Sequence, residues 1–381
     1  MNSLRILYIV DEIRDVNAGG TERQVAQLVQ MAMVSGHHAE VAVLRHASPF
    51  LKRQLRCEVT DCGIIKLWSG NGVRGMYRLS QLIRDGEFNI VQTFFVDANL
   101  IGPLVSRLAG AKVVIGSRRN TNTWMSARVA RLQRISNLFS HRLLGNSQKV
   151  REAVINTEKV HPSKVDVIHN GIDLSCFVFN PVRRRKIRAH LGIGADDFLI
   201  GNISRLEPVK GVDTFIRAMS RVREAVPNAH FVSIGEGTQR RQLEDLRQSL
   251  NLTRHLRFLG NRSDITPYLM AMDMAVLSSR AEGLSNSLLE YMAAGLPVVA
   301  SDLDANREAL GDCAVFAPVE DVDAYALRIQ ELYRDRRLRE RLAFEGRRRV
   351  SERFSMPAIQ RDLFDYYHKL CDKPEVIPTT E

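Results

Sequence analysis

Two glutamates with seven residues between them, Glu282 and Glu290, stand in the stretch SSRAEGLSNSLLEYMAAGLPVVAS, residues 278–301. Ionised carboxylates suit a hydroxyl-rich ligand, because charge-assisted hydrogen bonds are stronger than neutral ones and one carboxylate accepts from two neighbouring hydroxyls. Between the two glutamates come Gly283, Leu284 and Ser285, and then an expected helix start. Ser287 with Glu290 three residues on reads as a capping box. Backbone N–H groups at such a start carry roughly half a unit of positive charge and suit a phosphate. A sugar nucleotide offers both hydroxyls and phosphates. The same residues also fit a plainer role, with Glu290 closing the capping box and Glu282 standing in a solvated loop.

A second pair of charges, Arg205 and Lys210, lies in SRLEPVKG, residues 204–211, after the apolar run Phe198–Ile203 and before an expected helix from Val212. A diphosphate there would find two cations and the backbone donors of a helix start. Taken without context, a solvated Arg and Lys is the better reading.

These residues must be positioned by alternating strands and helices. MAVL, ending at Leu277, and Pro297–Ala300 read as buried strands on either side of a short helix that stops near Gly295. That is one βαβ unit, and ligands of parallel sheets sit at the carboxyl ends of the strands. Phe231–Ile234 followed by Gly235-Glu236-Gly237, and Leu256–Leu259 followed by Asn261 and Arg262, give further strand-to-loop transitions, with Asp264 as a cap for the next helix. At the head of the chain Leu4–Val10 is a strand, and Gly19-Gly20 precede a helix bearing Val25, Leu28, Val29 and Met33. A Gly-Gly pair without a full G-x-G-x-x-G is a weak dinucleotide fingerprint. The alternation implies α/β architecture, with parallel sheets covered on both faces.

The first half offers its own candidates. Asp97 follows the strand 90–95 and fits an N-cap or an acceptor-hydroxyl ligand. Arg118, Arg119 and Asn120 follow another strand, where paired arginines suit a phosphate of a lipid-linked acceptor or a solvated loop. From Trp124 to His141, Arg128, Arg131 and Arg134 recur at helical spacing, with Val129, Leu132, Ile135, Leu138 and Phe139 along another side. Such a helix can rest on an anionic bilayer or turn its apolar side to the core.

With 381 residues the chain has room for two or three domains. Hydrophobic content of 45% with 25% charged residues is ordinary for a globular protein. The opening MNSLRILYIVDEI is apolar only for a strand's length and lacks a cleavage site, so no signal peptide is expected, and no run is long enough to span a membrane. Five cysteines without paired ligand spacing imply a reduced, cytoplasmic compartment. A formal charge of +11 calls for an acidic partner. No nucleic-acid-binding signature is present, which leaves lipid or a phosphorylated substrate.

The stretch containing Glu282 and Glu290 resembles the Glu-x7-Glu signature of retaining glycosyltransferases of family 4, and the resemblance extends over almost the whole chain. Gly19-Gly20 with Glu22 looks like the family's GGxE segment, Asn170-Gly171-Ile172-Asp173 like its NGxD segment, and Arg205 to Gly211 like its R-x4-K-G motif. The resemblance implies a GT-B fold of two Rossmann-like domains with an interdomain cleft, and retaining transfer from a nucleoside-diphosphate sugar, UDP- or GDP-linked, without a metal or other cofactor. It implies Glu282 on the donor sugar, Glu290 on the ribose, Arg205 and Lys210 on the pyrophosphate, and backbone near Asn261 and Arg262 on the base. Arg205, Lys210 and Glu282 are then the catalytic set. Gly19, Gly20, Gly235, Gly283, Leu284 and Ser285 complete the donor site, and Asp97, Arg118 and Asn120 are candidates for the acceptor. Relatives often carry histidines where Gln92 and Phe94 stand here. The expected division is 1–178 for an acceptor-binding domain, 179–355 for a donor-binding domain, and a final helix within 356–381 crossing back, anchored by Ile359, Leu363, Phe364 and Tyr367, with Pro374–Glu381 frayed. The basic run 183–186 marks the expected linker. The acceptor is a saccharide or lipid-linked saccharide of cell-surface polysaccharide assembly, and the protein is expected in the cytoplasm or peripherally on the inner face of the membrane. An epimerase or hydrolase, a non-catalytic sugar-nucleotide or membrane-binding module, and a nucleic-acid binder are the rival readings.

Overall fold

The computed structural model describes residues 3–13, 15–16, 19–48, 50–120 and 126–372. The chain divides into two compact units, Met1–Gly171 with Pro357–Glu381, and Ile172–Met356.

In the first unit the elements run β1 (Arg5–Val10), α1 (Gly20–Val34), β2 (His38–Val43), α2 (Leu51–Leu55), β3 (Glu58–Asp61), α3 (Gly70–Gly86), β4 (Ile90–Thr93), α4 (Val96–Leu108), β5 (Val113–Arg118), α5 (Ala127–Asn137), β6 (Arg142–Gly145), α6 (Gln148–Glu158) and β7 (Val165–Val167). The sheet is parallel, in the order β3-β2-β1-β4-β5-β6-β7. Central strands such as β1 and β4 are buried on both faces, which is why RILYIV reads as a continuous apolar run instead of alternating. Right-handed crossovers put α1 and α2 on one face and α3 to α6 on the other. Leu79 and Ile83 of α3 and Ala98, Ile101 and Val105 of α4 share a core with Leu7, Ile9 and Val91.

The second unit runs α7 (Pro181–His190), β8 (Phe198–Ile203), α8 (Val212–Ala225), β9 (Ala229–Ile234), α9 (Arg240–Ser249), β10 (Leu256–Phe258), α10 (Thr266–Ala271), β11 (Met274–Leu277), α11 (Asn286–Ala293), β12 (Val298–Ser301), α12 (Asp304–Leu310), β13 (Val315–Ala317), α13 (Val322–Arg334) and α14 (Arg336–Arg353). Its parallel sheet has the order β10-β9-β8-β11-β12-β13. One face is packed by Leu269, Leu288, Ala309 and Val350, the other by Phe215, Met219, Leu243 and Ile329. In both sheets the strand order reverses beside the first strand of the unit, so ligand crevices are expected at the carboxyl ends of β1/β4 and β8/β11.

The last helix, α15 (Met356–Asp372), belongs to the first unit. Ile359, Leu363, Phe364 and Tyr367 on it are buried. The Tyr367 hydroxyl donates to Gln92 Oε1, and Gln92 Nε2 donates to Ser117 Oγ at 2.7 Å. Gln92 is thus a buried polar tie between α15 and β5. Pro374–Glu381 lies outside the described residues.

Three expectations are corrected. The chain enters the second unit at Ile172, not after residue 178, because the Ile172 N–H donates to Phe354 O at 2.8 Å and the Met356 N–H to Ile172 O at 3.0 Å, closing a small parallel bridge. The run 183–186 is no linker but part of α7, started by Pro181 and capped by Asn180 Oδ1. In it Arg184 pairs with Asp273, and Arg188, buried, donates to Asp273, Gly194 O and Asp197 O, so only part of the run is solvated. The alternative that puts the apolar side of α5 in the core is corrected: Gln133, Ser136 and Asn137 are buried while Ile135 and Leu138 are 58% exposed. Gln133 Nε2 and Ser136 Oγ donate to Asn99 O on α4, so a polar seam takes the inward position. Trp124 lies outside the described residues.

Candidate active site

In the second unit a short 3₁₀ turn, Pro208–Lys210, ends at Gly211, whose φ is +58°. A Cβ there would lie 2.1 Å from Ser278 O, so glycine alone lets this turn rest on the end of β11. Ser278 Oγ completes the seam by donating to Gly211 O at 2.8 Å. The contact delivers Lys210 to the loop after β11. Lys210 Nζ donates to both oxygens of Glu282, at 2.7 and 2.9 Å, and Ser279 Oγ donates to Glu282 Oε1 at 2.6 Å. The Glu282 side chain is 6% exposed and that of Lys210 18%. A carboxylate offers about four acceptor sites and an ammonium three donors. The pair therefore retains capacity for a ligand on both partners. Arg205, at the carboxyl end of β8, is exposed and makes no hydrogen bond or ion pair among the described residues.

Helix α11 carries the second carboxylate. Its N-cap is Ser285, without a side-chain cap, so the expected capping box does not form. Ser287 Oγ donates instead to Ile203 O at 2.7 Å, and the Ile203 N–H donates to the Tyr291 hydroxyl at 2.7 Å. Both bonds pin α11 to the end of β8. Glu290, no longer a capping partner for Ser287, is 8% exposed. Burial pushes the Tyr291 phenol above its ordinary value, and the charges of Glu290 and Glu282 add to the rise, so both carboxylates act on one buried ring. Gly283, Leu284 and Ser285 are buried in the loop leading to this helix.

The other candidates in this unit lie at neighbouring strand ends. Gly235, φ +138°, follows β9, and a Cβ there would meet Ser204 O at 2.0 Å. Asn261 and Arg262 follow β10 and are exposed, with Arg262 over the Tyr268 ring at 5.7 Å. Asp264 Oδ1 accepts the Thr266 N–H at 3.0 Å, but the N-cap position of α10 is Ile265, so Asp264 sits one residue before the expected cap.

The first unit has a different arrangement at its strand ends. A cavity of about 220 Å³ is lined in part by Asp11, Phe95, Asn99, Arg119, Asn120 and Gln133. Arg118 borders it too, but its guanidinium is 3% exposed and gives a fork to Glu158 at 2.8 and 2.9 Å, with Asn137 Oδ1 at 2.8 Å. That corrects the reading of Arg118 as a solvated or phosphate-seeking cation. Arg119 donates to Asn170 Oδ1 and has no ion pair among the described residues, and burial lowers its guanidinium to about 10. Asp97 is not the cap of α4: its carboxylate takes Arg45, while the Asp97 and Ala98 N–H groups donate to Asp11 at 3.1 and 2.6 Å. Burial raises the Asp11 carboxyl to about 6, with those two hydrogen bonds working against the rise. Phe95, between β4 and α4, has φ +66° and ψ −177°, a conformation nearly confined to glycine, so backbone strain is stored at the cavity edge. Sequence reasoning missed Asp11 and Phe95; Asp11, a carboxylate directly after a buried strand, carried a readable signal. Gly19 and Gly20 form the N-terminus of α1, with Gly19 as its N-cap.

Two parallel-sheet α/β units with motif-bearing loops at the strand ends define a protein of GT-B architecture. Among solved structures, Alr3699/HepE from Anabaena, in complex with UDP, superposes with a TM-score of 0.84 at 21% identity over 96% of this chain and 100% of that one. The family model described as Glycosyltransferase Family 4 matches residues 18–175, and that described as Glycosyl transferases group 1 matches residues 183–349. The chain belongs to this family of glycosyltransferases. It is 28% identical to the UDP-Gal:alpha-D-GlcNAc-diphosphoundecaprenol alpha-1,3-galactosyltransferase of Escherichia coli over 62% of this chain and 63% of that one. It is 31% identical to the lipopolysaccharide core biosynthesis glycosyltransferase LpsE of Rhizobium meliloti over 49% of this chain and 54% of that one. The chain thus spans between half and two thirds of the length of these curated relatives.

Proposed function

We propose that the protein transfers a sugar, with retention of anomeric configuration, from a nucleoside-diphosphate sugar held by the second unit to a saccharide or lipid-linked saccharide. The observation that carries this reading is the half-buried Lys210–Glu282 pair together with buried Glu290 and the start of α11 without a side-chain cap, which sets cations, carboxylates and backbone donors at the carboxyl ends of the central strands β8 and β11. Lys210 and Arg205 neutralise the departing diphosphate, a role otherwise served by a divalent ion. Glu282 takes a sugar hydroxyl on its remaining lone pair, and Glu290 accepts from the ribose. The bond from the anomeric carbon to the diphosphate breaks, the acceptor oxygen bonds to that carbon on the same face, and its proton passes to a phosphate oxygen. Nucleoside diphosphate leaves. Positioning and preorganised charge supply the rate, and no side-chain base is required.

The E. coli relative, named for a UDP-Gal donor and a diphosphoundecaprenol acceptor, supports UDP-sugars as donors and lipid diphosphate saccharides as acceptors for first trials. The test is incubation with UDP-sugars and a GlcNAc-diphospholipid, with the product linkage read by NMR. An α-linked product from an α-linked donor is expected; a β-linked product, or free sugar without transfer, would overturn the reading.

A further inference from the structure

Phe95 joins β4 to α4 with φ +66° and ψ −177°, a backbone region that glycine occupies freely and other residues rarely. Its neighbours hold it there. Asp11 accepts the Asp97 and Ala98 N–H groups at 3.1 and 2.6 Å, just past the turn. Asn99, buried, donates its side-chain amide to Phe95 O and to Ser117 O, and accepts from Thr93 Oγ1 at 2.6 Å. Phe94, one residue earlier, is fully buried with its ring edge-on to Tyr8. Glycine at 95 would give the same turn without strain, so the turn alone does not account for a phenylalanine. Core packing does not account for it either, because Phe94 supplies that contact and Phe95 stays half-buried. What the strained turn does is place Phe95 on the wall of the first unit's cavity of about 220 Å³. Strain of this kind collects where a ligand is held.

The rest of that wall narrows the ligand. Among its described lining residues only Phe95 and Val96 are apolar, while Asp11, Arg119, Asn120 and Gln133 bring a carboxylate, a guanidinium and two amides. The Asp11 carboxylate receives two N–H groups and has about four acceptor sites. A hydrocarbon chain would set these groups against nothing polar, which is costly. A diphosphate would find one cation, Arg119, because Arg118 is spent on Glu158. A sugar ring matches: hydroxyls stand around its edge for the polar groups, and C–H groups cover a face for an aromatic ring. Pockets for drug-sized ligands start at about 300 Å³, so this smaller cavity has room for one sugar ring and not for a chain of them.

We propose that Phe95 is a specificity-determining residue for the acceptor, its ring stacking on the C–H face of one sugar ring lodged in this cavity. This rests on the transferase reading and names the part of the acceptor that the first unit holds, a neutral sugar ring and not a phosphate. Methyl glycosides of glucose, galactose, mannose and N-acetylglucosamine are the probe, followed by saturation-transfer NMR under irradiation of the aromatic protons. At least one should receive saturation on the protons of one ring face, in the wild type and in Lys210→Ala alike. Phe95→Gly, which keeps the turn and removes the ring, should lose that signal. Phe95→Tyr should keep it, and Phe95→Leu, apolar but not aromatic, should not. In transfer to a GlcNAc-diphospholipid, Phe95→Gly should raise the acceptor KM on the order of tenfold with kcat and donor KM unchanged. Phe95→Gly should also melt above Phe95→Ala, the reverse of the usual order, because alanine keeps the strain and glycine relieves it. Absence of glycoside binding, binding unchanged in Phe95→Gly, full rescue by Phe95→Leu, or a Phe95→Gly that melts below Phe95→Ala would overturn the proposal. Transfer by Phe95→Gly with an unchanged acceptor KM would overturn it and leave the transferase reading standing. Absence of transfer by the wild type, with Phe95-dependent glycoside binding intact, would do the reverse.

Discussion

In the second unit the charged groups at the strand ends keep capacity for a ligand: Arg205 is exposed, Lys210 and Glu282 share one ion pair with sites to spare, and α11 starts without a side-chain cap. In the first unit the equivalent positions are largely satisfied from within, Arg118 by Glu158 and Asn137, Asp97 by Arg45, and the start of α4 by Asp11. Both crevices arise from the same topology, a parallel sheet whose strand order reverses beside its first strand. The difference lies in where the counter-charges are. On the proposed reading, a crevice whose charged groups keep spare donors and acceptors suits a diphosphate, whereas in the first unit Arg119 alone of the named strand-end cations is left without a charged partner among the described residues. Charged residues at the end of a strand are therefore not by themselves a site; their partners decide.

The contrast can be tested from both sides. The largest effect is expected at Arg118: Arg118→Ala leaves Glu158 buried without its cation and should cost about 3–5 kcal/mol of stability in denaturant titration, with donor affinity unchanged in the molecules that remain folded. A marked loss of affinity with intact stability would move Arg118 back among the ligand-binding groups. Next comes Lys210→Ala, for which turnover should fall on the order of 10²- to 10³-fold, as for loss of a preorganised charge in other transfer reactions. Lys210→Arg should restore only part, because a planar fork cannot copy the ammonium beside Glu282.

Asp11 offers a test through pH. Its folded carboxyl is raised to about 6, above the unfolded value of 3.8, so the folded state binds more protons between the two and stability should fall as pH rises from about 4 to about 6. The decline should be on the order of 3 kcal/mol or less. Asp11→Asn should flatten it while keeping one hydrogen bond to the start of α4; a slope unchanged in Asp11→Asn would assign the pH dependence elsewhere. Asp97→Asn should matter least. Its ion pair with Arg45 is partly exposed and worth about 1 kcal/mol or less, and turnover should stay within about twofold. Abolished turnover with donor binding intact would show that a side-chain base operates after all.

Much of the second unit could be read from the sequence, because its motifs are local. The strand, loop and helix from Met274 to Ala293 lie within one stretch, and Gly211 and Gly235 mark close backbone approaches that glycine alone permits. What the sequence hid were contacts between distant segments. Ser287 has the spacing of a capping residue, yet its hydroxyl is drawn to Ile203 on another strand. Arg118 looks like a free cation until Glu158, forty residues away, is found against it. The inward side of α5 bonds to Asn99 through Gln133 and Ser136, and hydrophobic patterning has no means to register a polar seam.

The central claim is that the second unit holds a nucleoside-diphosphate sugar through Lys210, Glu282 and Glu290. The most direct measurement is thermal stabilisation of the wild type and of Glu290→Ala by a panel of nucleotides and nucleotide sugars, because a ligand that binds only the folded protein raises its melting temperature. The account predicts a selective rise with one nucleoside-diphosphate sugar, and an affinity weakened by about tenfold or more in Glu290→Ala. An absent shift with every nucleotide sugar, or an identical shift in the variant, would contradict it.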